Sequence, residues 1–306
     1  MLRAASAGTE PADDGTPTAE RPIPFWARAL VVGGVFAFVL WREWRRPLRP
    51  ETEPKPPHAA RNLAVAALGA VTLQLLEAPV ATRLSAAVAR RRLGLLPALR
   101  LPRWLETTAA VLLMDYTLYL WHILVHRVPA LWRFHLVHHT DLDLDATTAL
   151  RFHFGELAIS VPWRAAQILA FGTTPRALSI WQTATLASII FHHSNARLPI
   201  GLERLLACLV VTPRMHGIHH SIVPRETDSN FSSGFSWWDR LHGTLRLNVP
   251  QGEVVVGVPA YRNSAELSFD RLVVLPFVDD RPTWRLPGDG EPDRPAPPDP
   301  PTRLAP

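Results

Sequence analysis

The sequence predicts an all-α integral-membrane helical bundle of about four to five spans or hairpin helices, with a histidine-rich helical cap on the cytosolic side. Three observations predict it. Hydrophobic residues make up 47% of the 306 and charged residues only 19%. The apolar residues fall in long runs separated by arginines, and eleven of the 13 histidines lie between His122 and His220.

The elements follow in order. Segment 23–41 is apolar except for Arg28 and is followed by WREWRRPLRP, a basic stop with none of the small residues of a signal-peptidase site, so it stays attached as a membrane helix. Segments 62–80, carrying Glu77, and 104–125, carrying Glu106 and Asp115, fit the roughly 20-residue length of a span. Segments 157–173 and 177–191 are shorter, break at Thr174–Pro175, and read as a hairpin that enters the membrane and returns. The hairpin brings His192 and His193 back beside His122 and His126, so all the clusters face one compartment. Six basic residues in 42–61 argue that it is the cytoplasm of a cell-membrane protein. The loop before the third span, with Arg83, Arg90, Arg91, Arg92, Arg100 and Arg103, is equally basic. Either part of it is an interfacial helix drawn back to the headgroups, or the second span is misplaced.

Residues 1–22 and the Pro-rich 281–306 read as disordered tails around a membrane-embedded domain, 23–280. Within that domain, apolar runs in 253–277 suggest a small cap. Lys55 is the sole lysine, and no basic stripe interleaved with stacking aromatics occurs, so nucleic acid is not an expected partner. The single cysteine, Cys208, excludes an intrachain disulfide and any cysteine-based metal site.

The pattern His-x-x-His-His occurs twice, as HLVHH (135–139) and HGIHH (216–220). On a helix, residues i, i+3 and i+4 share a face, so each box can converge three imidazoles on one metal ion. The inventory exceeds one ion and suits two, each with several histidines and an open position. Imidazole suits zinc, copper, iron and nickel. The all-histidine setting at a membrane face favours two iron ions with O2 as co-substrate, zinc being a substitute. Asp115, Tyr119, His122 and His126 fall on one stripe of the third span. Asp115 is expected to accept the second N–H of a ligating histidine, fixing its tautomer; the alternative is a helix–helix hydrogen bond inside the membrane.

Taken with their flanks, these residues reach further. Asp115-xxx-Tyr119-xx-His122-xxx-His126, LW-xx-His135-xx-His138-His139, Phe191-His192-His193-Ser194-Asn195, TPRM-His216-xx-His219-His220-Ser, TDSN (227–230) and WDRLHGT (238–244) resemble, in order and spacing, the fatty acid hydroxylase and sterol desaturase superfamily of histidine-rich di-iron membrane oxygenases. The resemblance covers roughly residues 30–280. It implies hydroxylation or desaturation of a membrane lipid, whether acyl chain, sterol or isoprenoid. The metal ligands it implies are His122, His126, His135, His138, His139, His193, His216, His219 and His220, with Asp115 and Tyr119 as catalytic candidates. His153 stands where the family has His-Pro, but Phe154 replaces the proline. His192 adjoins the matching His193 but diverges by about 100° on a helix. These two are secondary candidates. His242 replaces a common Phe, and His58 reads as a loop histidine with no partners. No HPGG segment or ferredoxin cysteine set occurs, so a separate electron donor of ferredoxin or cytochrome type is expected. The competing readings are a zinc-dependent membrane hydrolase, for which the HExxH motif is missing, and a metal-binding membrane protein without turnover.

Overall fold

The computed structural model describes residues 21–278, 281–286, 290–295 and 302–305. The expected amino-terminal tail lies outside them except for Arg21 and Pro22. Helix α1 (Phe25–Arg45) begins after Pro24, and α2 (Lys55–Thr72) carries prolines in its first turn, where a missing N–H costs nothing. The chain continues through a π turn, Leu73–Glu77, into α3 (Ala78–Arg91). Pro79 accounts for the turn. It has no N–H for the carbonyl four residues back, and the helix accommodates it by one wide turn in which the Ala78 N–H bonds the Leu73 carbonyl.

A short α4 (Leu95–Ala98) precedes α5 (Arg103–Arg127), α6 (Pro129–His139), α7 (Phe154–Phe171) and α8 (Pro175–His193). Small helices α9 (Ile200–Leu206), α10 (Pro213–His219), α11 (Pro224–Thr227) and α12 (Trp237–His242) close one end, and α13 (Phe269–Val278) packs on α6 and α2. Extended structure among the described residues is limited to isolated bridges. The 253–277 stretch does form part of a cap: Val256 packs with Leu144 and Ile218, and Val258, Tyr261 and Leu272 pack with Leu136 and Val137.

The long helices expose large apolar side chains and bury several polar ones beside an apolar core. Helix α1 exposes Phe25, Trp26, Leu30 and Trp44 while burying Glu43, and α2–α3 expose Leu63, Val71 and Leu75 while burying Asn62 and Glu77. Three helical stretches, Phe25–Arg45, Lys55–Ala98 and Arg103–Arg127, are long and apolar enough to cross a membrane. An apolar surface this large calls for a lipid cover.

The bundle has two distinct ends. At one, His126 closes α5, His193 closes α8, and the Glu43 carboxylate at the end of α1 accepts from Asn195 N at 2.7 Å. At the other, Ile23 N donates to Ser179 Oγ at 2.9 Å, Arg92 pairs with Glu106 at 2.8 Å, and Gly94 abuts Gly172, both with positive φ (98° and 78°) and no room for a Cβ. The arginine-rich loop lies at this second end, because α3 runs straight on from α2. Arg83, Arg90 and Arg91 belong to α3 itself, so the second segment is longer than the expected 62–80 and runs on past its end. Basic residues therefore mark both ends.

In the carboxyl-terminal stretch, Leu304 is buried with Val211, Met215, Leu245 and Leu247, and Ala305 N donates to Leu247 O at 2.8 Å. This part of the expected tail docks on the cap.

Candidate metal centre

Nine imidazoles converge in two adjacent groups. His122, His126, His135, His139 and His219 each offer a ring nitrogen within 4.8 Å of the others, and His138, His193, His216 and His220 do the same. In the second group the contacts run Nε2 to Nε2: His138 to His193 at 3.0 Å, His193 to His216 at 3.0 Å, and His216 to His220 at 3.1 Å. The groups share a wall, where the His139 and His220 rings stack with centroids 4.3 Å apart.

This partition corrects the expectation that each His-x-x-His-His box serves one ion. Successive helical residues turn by about 100°, so i and i+4 lie about 40° apart while i+3 lies about 60° to the other side. His135 and His139 therefore enter the first group and His138 the second, whereas His216 and His220 enter the second and His219 the first. Each box straddles both positions, with opposite assignments.

Four rings are oriented from behind. His122 Nδ1 donates to Phe231 O at 2.7 Å, His219 Nδ1 to Ser229 O at 2.8 Å, and His193 Nδ1 to Ile189 O at 2.8 Å. His135 Nδ1 faces both Glu156 oxygens, at 3.1 and 3.2 Å. A carbonyl only accepts, so Nδ1 carries the proton and Nε2 turns a lone pair to the centre. The loop supplying two of these carbonyls is pinned by Asp239, which accepts from Phe231 N at 2.8 Å, Ser232 N at 3.0 Å and Thr244 Oγ1 at 2.6 Å. Tyr119 belongs to this brace, bonded to Thr244 Oγ1 at 3.0 Å and edge-on to Phe231.

The expected role of Asp115 is corrected. Its carboxylate accepts from Phe235 N at 3.1 Å and Trp238 Nε1 at 2.7 Å, so it anchors the 235–238 segment instead of orienting an imidazole. It lies two helical turns below His122, too far down the helix to reach the ring.

Burial holds His138, His139, His216 and His220 well below the ordinary imidazole range and His219 at about 3, with neighbouring imidazoles adding to the effect. All are neutral at pH 7, the ligating form. Yet Nε2 of His126, His135 and His219, both nitrogens of His139, and Nδ1 of His138, His216 and His220 are buried without partners. Each such atom costs about 1–3 kcal/mol when left unsatisfied. A cation in each group would take one nitrogen of each ring, Nε2 in the second group, and would leave Nδ1 of His138, His216 and His220 unanswered. Tetrahedral ligands at about 2.0–2.1 Å from a metal stand roughly 3.3 Å apart, close to the Nε2 spacings of the second group.

The remaining histidines are accounted for differently. His153 caps α7, accepting from Gly155 N at 2.9 Å and donating to Val273 O at 3.0 Å, so both its nitrogens are occupied. His192 packs its ring 4.1 Å from His216 and bonds the Ser233 backbone, outside both groups. His242 stacks on Tyr116 and Tyr119. His58, expected to be a partnerless loop residue, is a buried residue of α2 whose Nε2 meets Asp141 at 2.7 Å and whose Nδ1 meets Asp145 at 3.4 Å.

A cavity of about 960 Å³ reaches both groups. His122, His135, His138, His193 and His216 line it, with walls from residues such as Leu63, Leu73, Leu118, Leu186 and Ile189. It is large enough for a lipid chain.

Residues 107–244, which contain all nine converging histidines, match the fatty acid hydroxylase family model. Over that stretch the chain is similar to the fatty acid hydroxylase family. An ornithine lipid hydroxylase of Rhizobium tropici is 30% identical over 145 residues, 47% of this chain and 43% of that protein. An alkylglycerol monooxygenase of Xenopus tropicalis is 31% identical over 144 residues, 47% and 30% of the two chains. A cholesterol 25-hydroxylase of Mus musculus is 28% identical over 138 residues, 44% and 45%. The chain thus spans less than half the length of these curated relatives. No solved structure matches.

The matched stretch uses residues that sequence reasoning did not single out. Glu156 sits three residues after His153 at the start of an apolar helix, where a buried carboxylate is itself a signal. Asp239, in the quoted WDRLHGT, and Ser229, in TDSN, gave their motifs but not their roles. The Phe231, Ile189 and Ser229 contributions are backbone carbonyls, for which no side-chain pattern exists.

Proposed function

We propose that the protein is an O2-dependent oxidoreductase that hydroxylates or desaturates a membrane lipid, with two iron ions held by the nine converging histidines. The carrying observation is the pair of neutral, buried imidazole groups at the end of an apolar cavity. The names of the relatives favour hydroxylation. In that reaction one oxygen atom of O2 enters a C–H bond and the other leaves as water, two electrons coming from a separate ferredoxin or cytochrome-type donor and two protons from solvent. Bound iron would supply the O2 activation.

The chain's own residues do the rest. His122, His126, His135, His139 and His219 would hold one ion, and His138, His193, His216 and His220 the other. The Phe231, Ser229 and Ile189 carbonyls and the Glu156 carboxylate fix the tautomers, and a mutation in such a partner costs about 10–100-fold in metal affinity or activity. The apolar cavity walls exclude water and present a lipid C–H to the centre. The membrane-embedded domain is taken as 23–280, with its histidine end on the cytoplasmic side.

The test is a lipid profile of cells with and without the chain, grown with and without O2, alongside metal analysis of the purified protein. A product 16 mass units heavier and two irons per chain are expected. A product two units lighter would assign desaturation. An unchanged profile with zinc alone would overturn the reading.

A further inference from the structure

The cavity has a second polar region, away from the histidines. Arg28 of α1, Glu77 of the π turn, Arg164 of α7 and Gln182 of α8 all line it. Arg164 has its own counter-charge: Nε lies 3.5 Å from Glu77 Oε1, Nη1 donates to Gln167 Oε1 at 2.6 Å, and the guanidinium sits 4.1 Å from the centre of the Trp181 ring. Arg28 has none. Among the described residues its partners are neutral, Thr183 Oγ1 at 3.3 Å and Gln182 Oε1 at 3.4 Å. The two arginines and one glutamate leave this region with one surplus positive charge. A charged side chain in an apolar helix is costly unless paired, and both hydrogen bonds of Arg28 are long.

We propose that Arg28 receives the oxyanion of a single-chain anionic lipid, a carboxylate or phosphate, whose apolar chain runs through the cavity towards the histidines. This rests on the lipid-oxidising reading above and adds a substrate class and a direction. Eleven residues of α8 separate Gln182 from His193, a rise of about 16 Å. The oxidised C–H therefore lies far along the chain from the oxyanion, never at the carbon beside it. Glu77, bound to Arg164, repels an anion placed nearer to it and so biases the oxyanion to Arg28.

The test compares three probes of equal chain length, a long-chain fatty acid, the alkyl phosphate and the alcohol, binding to the iron-loaded full chain in nanodiscs. At least one anionic probe is expected to bind about tenfold more tightly than the alcohol. The gap should close in Arg28→Gln and persist in Arg28→Lys, with alcohol affinity unchanged in both. The acid and phosphate arms identify which oxyanion is preferred. Equal binding of all three probes, a gap that survives Arg28→Gln, or failure of every probe to bind would overturn the proposal. Where turnover occurs, oxidation at the carbon adjoining the oxyanion would also overturn it. Binding with the expected preference but without turnover would leave the anion site standing and remove the oxygenase reading.

Discussion

Two buried regions of this chain are built from histidine and behave in opposite ways. Around His58 both ring nitrogens and the carboxylates facing them have answers. Asp141 and Asp145 meet its two ring nitrogens, Asn62 donates to Asp141 Oδ2 at 2.8 Å, and Arg151, fully buried, donates to Asn62 Oδ1 at 2.8 Å, Val137 O at 3.0 Å and Thr140 Oγ1 at 3.0 Å. Despite its burial, the charge of Arg151 and the charge and hydrogen bond of His58 hold the Asp141 carboxyl far below the usual carboxylate range. In the nine-imidazole region, by contrast, each ring has at most one nitrogen fixed by a carbonyl or carboxylate, and the others face one another. The difference teaches how to tell a structural histidine from a ligand. A structural one closes its hydrogen bonds on groups outside the histidine set, whereas the converging rings turn a nitrogen towards one another, four of them oriented from behind. The two regions are joined by Thr140 and Asp141, which follow His139 directly, so the saturated network holds the unsaturated one in place.

Substitutions in the two regions should therefore fail differently. The largest effect is expected from His216→Ala and His219→Ala, each of which removes a ligand from a different group. Each should lose at least one iron per chain and more than about 100-fold in turnover, read by metal analysis and product formation. Full iron in both variants would dissolve the two-group partition.

Next comes Arg151→Met, which leaves Asp141 short of a buried partner. A broken buried pair costs about 3–5 kcal/mol, visible as a lower unfolding midpoint. The protein that remains folded should keep its iron, since no ligand is touched. Loss of iron with stability unchanged would move Arg151 into the centre.

Glu156→Gln sharpens the boundary, because Glu156 is the one carboxylate hydrogen-bonded to a converging histidine. A 10–100-fold loss of iron affinity is expected with a small change in stability. Asp115→Ala should do the reverse. It frees the Phe235 N–H and the Trp238 indole, costs about 2 kcal/mol, and leaves iron per chain intact.

The smallest effect should come from His192. His192→Ala is expected to keep both irons and much of the activity, whereas His193→Ala empties the second group. Equal losses would place His192 among the ligands.

Much of this was legible in the sequence. The long apolar runs gave four of the long helices to within four residues, because burying or lipid-covering about 20 apolar residues leaves the backbone no partner but itself; the second, read as 62–80, runs from 55 to 91. The resemblance carried by the histidine boxes and their flanks named the nine side chains that converge, while helical periodicity accounts for the pairs His122/His126, His135/His139 and His216/His220. Where a local pattern suffices, as in the break at Thr174–Pro175 between α7 and α8, the reading held. Periodicity also misled. It put the three histidines of a box on one ion, when the 100° between i+3 and i+4 sends them to different groups.

The tertiary structure alone decided the remainder. It showed that the arginine-rich loop lies at the end of the bundle opposite the histidines, because Pro79 produces a π turn instead of a break. It turned Asp115 from an imidazole partner into an anchor for the 235–238 segment, and His58 from a loop residue into the centre of a charge network. It supplied the backbone carbonyls of Phe231, Ser229 and Ile189, which no residue type announces. Sequence sets which groups a helix presents and at what angle. Which group on another element meets them depends on contacts between residues as distant as Asp115 and Trp238, and only the packed chain fixes those.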